Sequence, residues 1–247
     1  MSHAAWPLAA AGGWIALALV AAGAYGWHAW RGNWARWRVA VFGAGVAMTV
    51  VAARGLDDPL ASMTGYTAAL MVLGQVVSPL LLLGFPAEVR AGWHRGRNRI
   101  WAGWLLDPWV AFAVFVLLTV GINLPGVFET ALADALFSAP IGLLVLVGGL
   151  LVWAQLLDGS RAIGRRWVAG IWGWFAGLPM MVIAAVWVWS GHVLYTPYLD
   201  VLCLWNLSPL EDQHYAGLVM FAAGLPLQLR AAWLLIMSDE GSGASTV

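Results

Sequence analysis

Charge is what this chain has least of. Of its 247 residues only 10% are Asp, Glu, Lys or Arg, lysine is absent altogether and 62% are hydrophobic, giving a mean hydropathy of +0.80. So little polar surface cannot cover a water-soluble globule of this length, which indicates an integral membrane protein. The twelve basic residues, all arginine, balance twelve acids, so no net positive field points to a nucleic-acid partner. Cysteine is nearly missing too. The single Cys203 rules out an intrachain disulfide and a cysteine-built zinc or iron–sulfur site, and leaves at most one thiolate donor for a soft metal. There is no nucleotide-binding glycine loop, zincin helix or serine-hydrolase elbow, and no internal repeat, linker or soluble domain. No basic residue precedes Arg31. The first apolar run therefore lacks the charged region of a signal peptide and is expected to be kept as a span.

What the sequence does hold is a series of apolar runs long enough to cross about 30 Å of hydrocarbon. They fall near 8–28, 38–54, 66–86, 104–124, 138–157, 168–190 and 213–236. The expected fold is an all-α bundle of seven transmembrane spans forming one domain over 1–237. The Gly/Ser-rich segment 238–247 has no helical periodicity and is expected to be a disordered cytoplasmic tail. Arginines occupy alternate connections: Arg31, Arg36 and Arg38; Arg90, Arg95, Arg97 and Arg99; Arg161, Arg165 and Arg166. With Arg230, eleven of the twelve arginines fall on one side and only Arg54 on the other. The positive-inside rule then puts the N-terminus outside and the C-terminus in the cytoplasm. The outer connections carry Asp57, Asp58, Glu129, Asp134, Asp200, Glu211 and Asp212. Many of the eighteen tryptophans, among them Trp27, Trp30, Trp34, Trp37, Trp93, Trp101, Trp104, Trp167, Trp172 and Trp205, sit near span ends as an aromatic belt. Trp153, Trp187 and Trp189 read as packing residues.

The least generic stretch is 208–220, Ser-Pro-Leu-Glu-Asp-Gln-His-Tyr-Ala-Gly-Leu-Val-Met. Asp212 stands where a helix N-terminus needs an acceptor, and is expected to cap the last span. Gln213, Ala216, Gly217, Met220 and Gly224 recur at helical spacing and form a narrow face of small residues. Another helix could pack closely on it in lipid, with or without any chemistry.

Further landmarks are Ser78-Pro-Leu-Leu-Leu-Leu-Gly-Phe-Pro86, Asn123-Leu-Pro125, Gly148-Gly-Leu-Leu-Val-Trp153 and Pro209-Leu-Glu-Asp-Gln-x-x-Ala-Gly217-x-x-Met220. In this order they resemble the polytopic bacterial CtaG family of cytochrome c oxidase assembly factors, over about residues 66–236. The resemblance implies a protein of the bacterial inner (plasma) membrane that helps build a haem–copper oxidase, through copper supply, with oxidase subunits and the lipid bilayer as partners. Its motif residues here are Pro79, Pro86, Pro125, Asp212, Gln213, Ala216, Gly217 and Gly224. The chain departs from the family at the histidines. Where the family has His-Met-x-x-His, it has Tyr66-Thr-Ala-Ala-Leu70; the outer His-x-Pro is Asn123-Leu-Pro125, and the histidine pair of the next span is missing around residues 137–140. A phenol and an isobutyl group cannot replace two imidazoles as ligands of Cu(I).

Donors that remain on the outer side are His192, His214, Cys203 and the thioethers of Met48, Met63, Met71 and Met220. His214, His192 and Met220 are the candidate metal ligands and copper is the one cofactor in question. Against that, His214 at a helix start suits a hydrogen bond to a loop, and Met220 suits helix packing. His28 and His94 read as interfacial, and His3 as part of a frayed terminus. Two functions compete. One is a non-catalytic membrane protein, not an enzyme, that supports the oxidase as assembly factor or accessory subunit. The other is a copper carrier or chaperone using outer His and Met residues, with Met180 and Met181 mid-span; no ionisable residue marks its path. A haem enzyme would need paired histidines on facing spans, and none occur.

Overall fold

The computed structural model describes residues 5–93, 104–133, 135–157, 165–199 and 207–237. The expectations for His3, His94, Cys203, Asp134, Asp200, Trp101, Trp205, Arg95, Arg97, Arg99, Arg161 and the 238–247 tail fall outside them. In order the elements are α1 (Ala5–Arg31), α2 (Arg36–Leu56), α3 (Met63–Gly84), α4 (Ala87–Gly92), α5 (Pro108–Ile122), α6 (Pro125–Ala133), α7 (Ala135–Leu157), α8 (Arg166–Trp189), a 3-10 turn at Thr196–Tyr198 and α9 (Pro209–Ile236). No strand occurs among the described residues.

Among the described residues five helices are long and apolar enough to cross a membrane: α2, α3, α7 from Ser138, α8 and α9. Their outward faces carry large apolar side chains, such as Leu229 at 68% exposure and Val182 at 60%, which in water would be an aggregation surface and in lipid is a solvated one. The run expected at 104–124 forms a helix of only 15 residues, about 22 Å long at 1.5 Å per residue. Its start is fixed by Pro108, which has no N–H, and by Asp107, whose carboxylate accepts the Trp109 and Val110 N–H groups. The first run forms a helix of 27 residues.

Small residues set the helix contacts. A Cβ on Gly149 of α7 would meet the Gly74 carbonyl of α3, so the two backbones touch there. Between Val72 and Val77 α3 is wound as a π-helix. Pro79 stands two residues beyond Val77; it gives no N–H to the carbonyl four residues back and crowds it, and a wider turn relieves both. The Ser78 hydroxyl donates to the Leu73 and Leu146 carbonyls at 3.0 and 3.2 Å, tying this turn to α7.

The α8–α9 pair is the most extensive in the bundle. Gly170 and Gly177 of α8 face Ala231 and Leu227, Gly173 faces Ala231 and also Leu156 of α7, and Gly217 and Gly224 of α9 face Ala184 and Met180.

Arginine gathers at one end of the bundle and serves carbonyls at helix C-termini. Arg38 donates to Phe85 O at 2.7 Å, Arg90 to Phe85 O at 2.7 Å and Leu82 O at 3.0 Å, and Arg230 to Leu156 O at 3.2 Å. Cations belong there, because the last carbonyls of a helix lack intrahelical partners and carry its negative dipole end. Among the belt tryptophans, Trp30 is 75% exposed, whereas Trp172 is buried and donates its indole N–H to Pro108 O at 3.0 Å.

Candidate functional site

The polar residues of 208–220 lie at the opposite end, but Asp212 does not do there what its position suggests. The N-terminus of α9 is closed by Ser208 and Glu211. The Ser208 hydroxyl accepts the Glu211 N–H, and the Glu211 carboxylate accepts the Ser208 N–H at 2.9 Å, a reciprocal capping box. Asp212 is thereby released to face α3. Its carboxylate accepts Met63 N–H at 2.6 Å, Thr64 N–H at 3.1 Å and the Ser62 hydroxyl at 2.9 Å. Thr64 Oγ1 returns a bond to Asp212 O at 2.9 Å. The expectation that Asp212 caps its own helix is therefore corrected: the carboxylate caps α3, where free N–H groups and a positive dipole end favour an anion. It is 1% exposed, and its burial is matched by three donors.

Gln213 is fully buried and binds the connection that follows α8. Its Oε1 accepts Leu194 N–H at 2.8 Å, and its Nε2 donates to Trp187 O at 3.4 Å and His192 O at 3.3 Å. His214 Nε2 lies 3.0 Å from Ser190 O, so the imidazole is the donor there. The 190–199 segment is held from two more sides. Thr196 donates its N–H and hydroxyl to Glu129 of α6 at 3.0 and 2.8 Å, and Tyr198 OH donates to Pro59 O at 2.7 Å. Tyr195 OH donates to Asn123 O at 2.9 Å and accepts the Trp187 indole N–H at 3.1 Å. Burial pushes the Tyr195 phenol up to about 12, since the phenolate would lose its hydration. Burial also raises Asp57, with Arg54 acting in opposition.

Beneath this network is a cavity of about 40 Å³ walled by α3, α5, α6, α7, α8 and α9. Leu70 and Asn123, two of the positions where the resemblance leads to imidazoles, line it. Tyr66 packs edge-on against Phe128, and the Asn123 amide donates to Thr119 O at 2.7 Å. This trio offers no soft ligand, so the residues present do not fit copper at those positions. Of the three metal candidates, Met220 lines the cavity and neither His214 nor His192 does. His192 is exposed, and no group of three or more His, Cys, Asp or Glu that could hold a metal occurs among the described residues. The two histidines flank Ser190 instead: His214 Nε2 faces its carbonyl, and the Ser190 hydroxyl donates to His192 O at 2.7 Å.

The small face of α9 is filled from within the chain. A Cβ on Gly217 would meet Val188 Cγ2 at 2.7 Å and Ala184 O at 2.9 Å, while Ala216 and Met220 are buried. The helix that packs on this face is α8 of the same chain. Pro86 supplies the N-cap of α4 and Pro125 opens α6, each at a position that needs no N–H.

A family model described as cytochrome c oxidase caa3 assembly factor (Caa3_CtaG) matches residues 13–238. That is most of the chain. The protein belongs to the Caa3_CtaG family. No curated protein and no solved structure matches it. In this Caa3_CtaG protein, reasoning from sequence alone missed Ser62, Thr64, Gln75 and Tyr195 as members of the polar network. Ser62 stands before an apolar run, the ordinary N-cap signal, and Gln75 is a polar residue in mid-span, itself a marker of an interhelical contact. Its Oε1 accepts the Trp153 indole N–H at 3.3 Å. Nothing in the sequence marks Tyr195.

Proposed function

We propose that this chain is a non-catalytic integral membrane protein of the bacterial plasma membrane that supports a haem–copper cytochrome c oxidase, as assembly factor or accessory subunit. Family membership carries the reading. The way the polar groups are used supports the non-catalytic part: Asp212, Gln213, His214, Glu129 and Tyr195 each close a hydrogen bond between helices or between helix and connection. Groups so engaged position the bundle rather than act as acid, base or nucleophile. In the arrangement we propose, α1 and α5 join the five long helices as spans six and seven, with the arginine end in the cytoplasm. Deletion of the gene should remove assembled oxidase from the membrane, seen in its haem absorption and on native gels, and a plasmid copy should restore it. Normal oxidase in the deletion strain would overturn the proposal.

Copper carriage is the second reading, and one observation favours it. Met71, Met180 and Met220, on three different helices, all line the same cavity.

A further inference from the structure

The cavity beneath the Asp212 network has a donor set that neither the family description nor the histidine positions assign. Met71 of α3, Met180 of α8 and Met220 of α9 line it, together with Trp187, Thr67 and Gln75. Met180 and Met220 are each 2% exposed. The Thr67 hydroxyl, on a residue 1% exposed, has no hydrogen-bond partner among the described residues, although buried hydroxyls are normally paired. The wall beside Met71 is the start of the π-wound segment of α3, a departure from regular helix that recurs at functional sites. At about 40 Å³ the space exceeds the roughly 10–15 Å³ that one water occupies.

We propose that this cavity is a binding site for one soft monovalent cation, of the Cu(I) or Ag(I) class, held by the thioethers of Met71, Met180 and Met220. Three arguments select this ligand. Thioether sulfur is a soft, neutral donor that favours d10 monovalent ions over hard or divalent ones. No Asp, Glu or Cys is among the described residues that line the cavity, so a divalent ion would be buried there without a neutralising charge, at a cost a single charge reduces several-fold. Trp187 adds an aromatic face suited to a cation, and the Thr67 oxygen is a free acceptor. The site deepens the copper-carriage reading and rests on it for its biological use, but binding itself does not depend on any role in oxidase assembly.

Proton competition separates this site from a histidine site. None of the lining residues is Asp, Glu, His, Cys, Lys or Arg, so affinity should not change across the range where imidazole gains its proton. The test uses the full-length protein in detergent carrying Cys203→Ser, titrated with Ag(I) in chloride-free buffer by calorimetry. One Ag(I) per chain is expected, with affinity equal within about twofold between about pH 5.5 and pH 7.5, on either side of the imidazole range. Met180→Leu and Met220→Leu, which nearly conserve volume, should each weaken binding by about tenfold or more, a loss of about 1.4 kcal/mol. Met48→Leu, away from the cavity, and the His192→Gln/His214→Gln pair should bind as the parent. Metal-edge X-ray absorption of the Cu(I)-loaded Cys203→Ser protein needs no cavity variant and should show a sulfur shell. No stoichiometric Ag(I), full binding in both Met→Leu variants, a steep loss at the lower pH, or a shell of nitrogen and oxygen alone would each overturn the site. Because the readout is binding to purified protein, its failure is distinct from failure of the assembly role, which is read in cells.

Discussion

Asp212 and Met63 are 149 positions apart, and the Asp212 carboxylate accepts the Met63 N–H at 2.6 Å. An acid in the first turn of the last helix thus closes the first turn of the third. The bond couples two of the elements that carry the family's sequence landmarks.

Removing that carboxylate should loosen α3 and leave the start of α9 intact. Asp212→Asn keeps one acceptor oxygen but turns an NH2 toward a backbone N–H, so it should cost about 1–3 kcal/mol for the buried donor left unpaired. Asp212→Ala should cost more. Hydrogen exchange of the Met63, Thr64 and Gly65 amides should accelerate in both variants, while Glu211, capped by Ser208, keeps its protection. Faster exchange confined to residues 210–213 would mean that Asp212 caps its own helix after all.

Gly217 should not tolerate even one carbon. Its Cβ would come within 2.9 Å of the Ala184 carbonyl, so Gly217→Ala should lower thermal stability in detergent by about 1–3 kcal/mol and Gly217→Leu by more. Gly43, with nothing within 4 Å of its Cβ direction, serves as control, and Gly43→Ala should be neutral or stabilising. Unaltered stability of Gly217→Leu with loss of oxidase would show instead that this face serves another protein.

Tyr195 predicts an alkaline loss of stability. Its phenol is raised to about 12 in the folded protein, against about 10 when unfolded, so the fold favours the protonated form. Its contribution is complete below about pH 10 and falls as pH rises toward 12, by roughly 3 kcal/mol in total. Tyr195→Phe should lose the two hydrogen bonds at neutral pH and show a flatter decline through that window. Parallel curves for parent and variant would contradict the assignment.

Topology is testable at exposed positions of both ends. With Cys203 replaced by Ser, a membrane-impermeant thiol reagent on intact cells should reach Thr196→Cys and fail to reach Arg165→Cys. The reverse labelling would invert the proposed orientation.

How much of this was legible depended on whether the signal was local. Periodicity and hydropathy located the α2, α3, α7, α8 and α9 helices closely, because an apolar run long enough to cross lipid has few other folds open to it. The 104–124 run is longer than its helix, because Asp107 and Pro108 fix the start of α5 four residues into it. Asp212 carries the local signature of a cap but serves another helix: Ser208 and Glu211 close the start of α9, and only tertiary packing brings the N-terminus of α3 within reach of Asp212. The same holds for the methionines. Met71, Met180 and Met220 are visible as soft donors, but their meeting at one cavity depends on how three helices rotate against each other, aided by a π turn that no periodicity announces.

The central claim is tested most directly by purifying the tagged chain from membranes in mild detergent and identifying what comes with it, with copper measured on the same sample. The account predicts cytochrome c oxidase subunits in the parent preparation, and the same subunits with the His192→Gln/His214→Gln protein. A chain that purifies without any oxidase subunit, from membranes in which the oxidase is abundant, would contradict it.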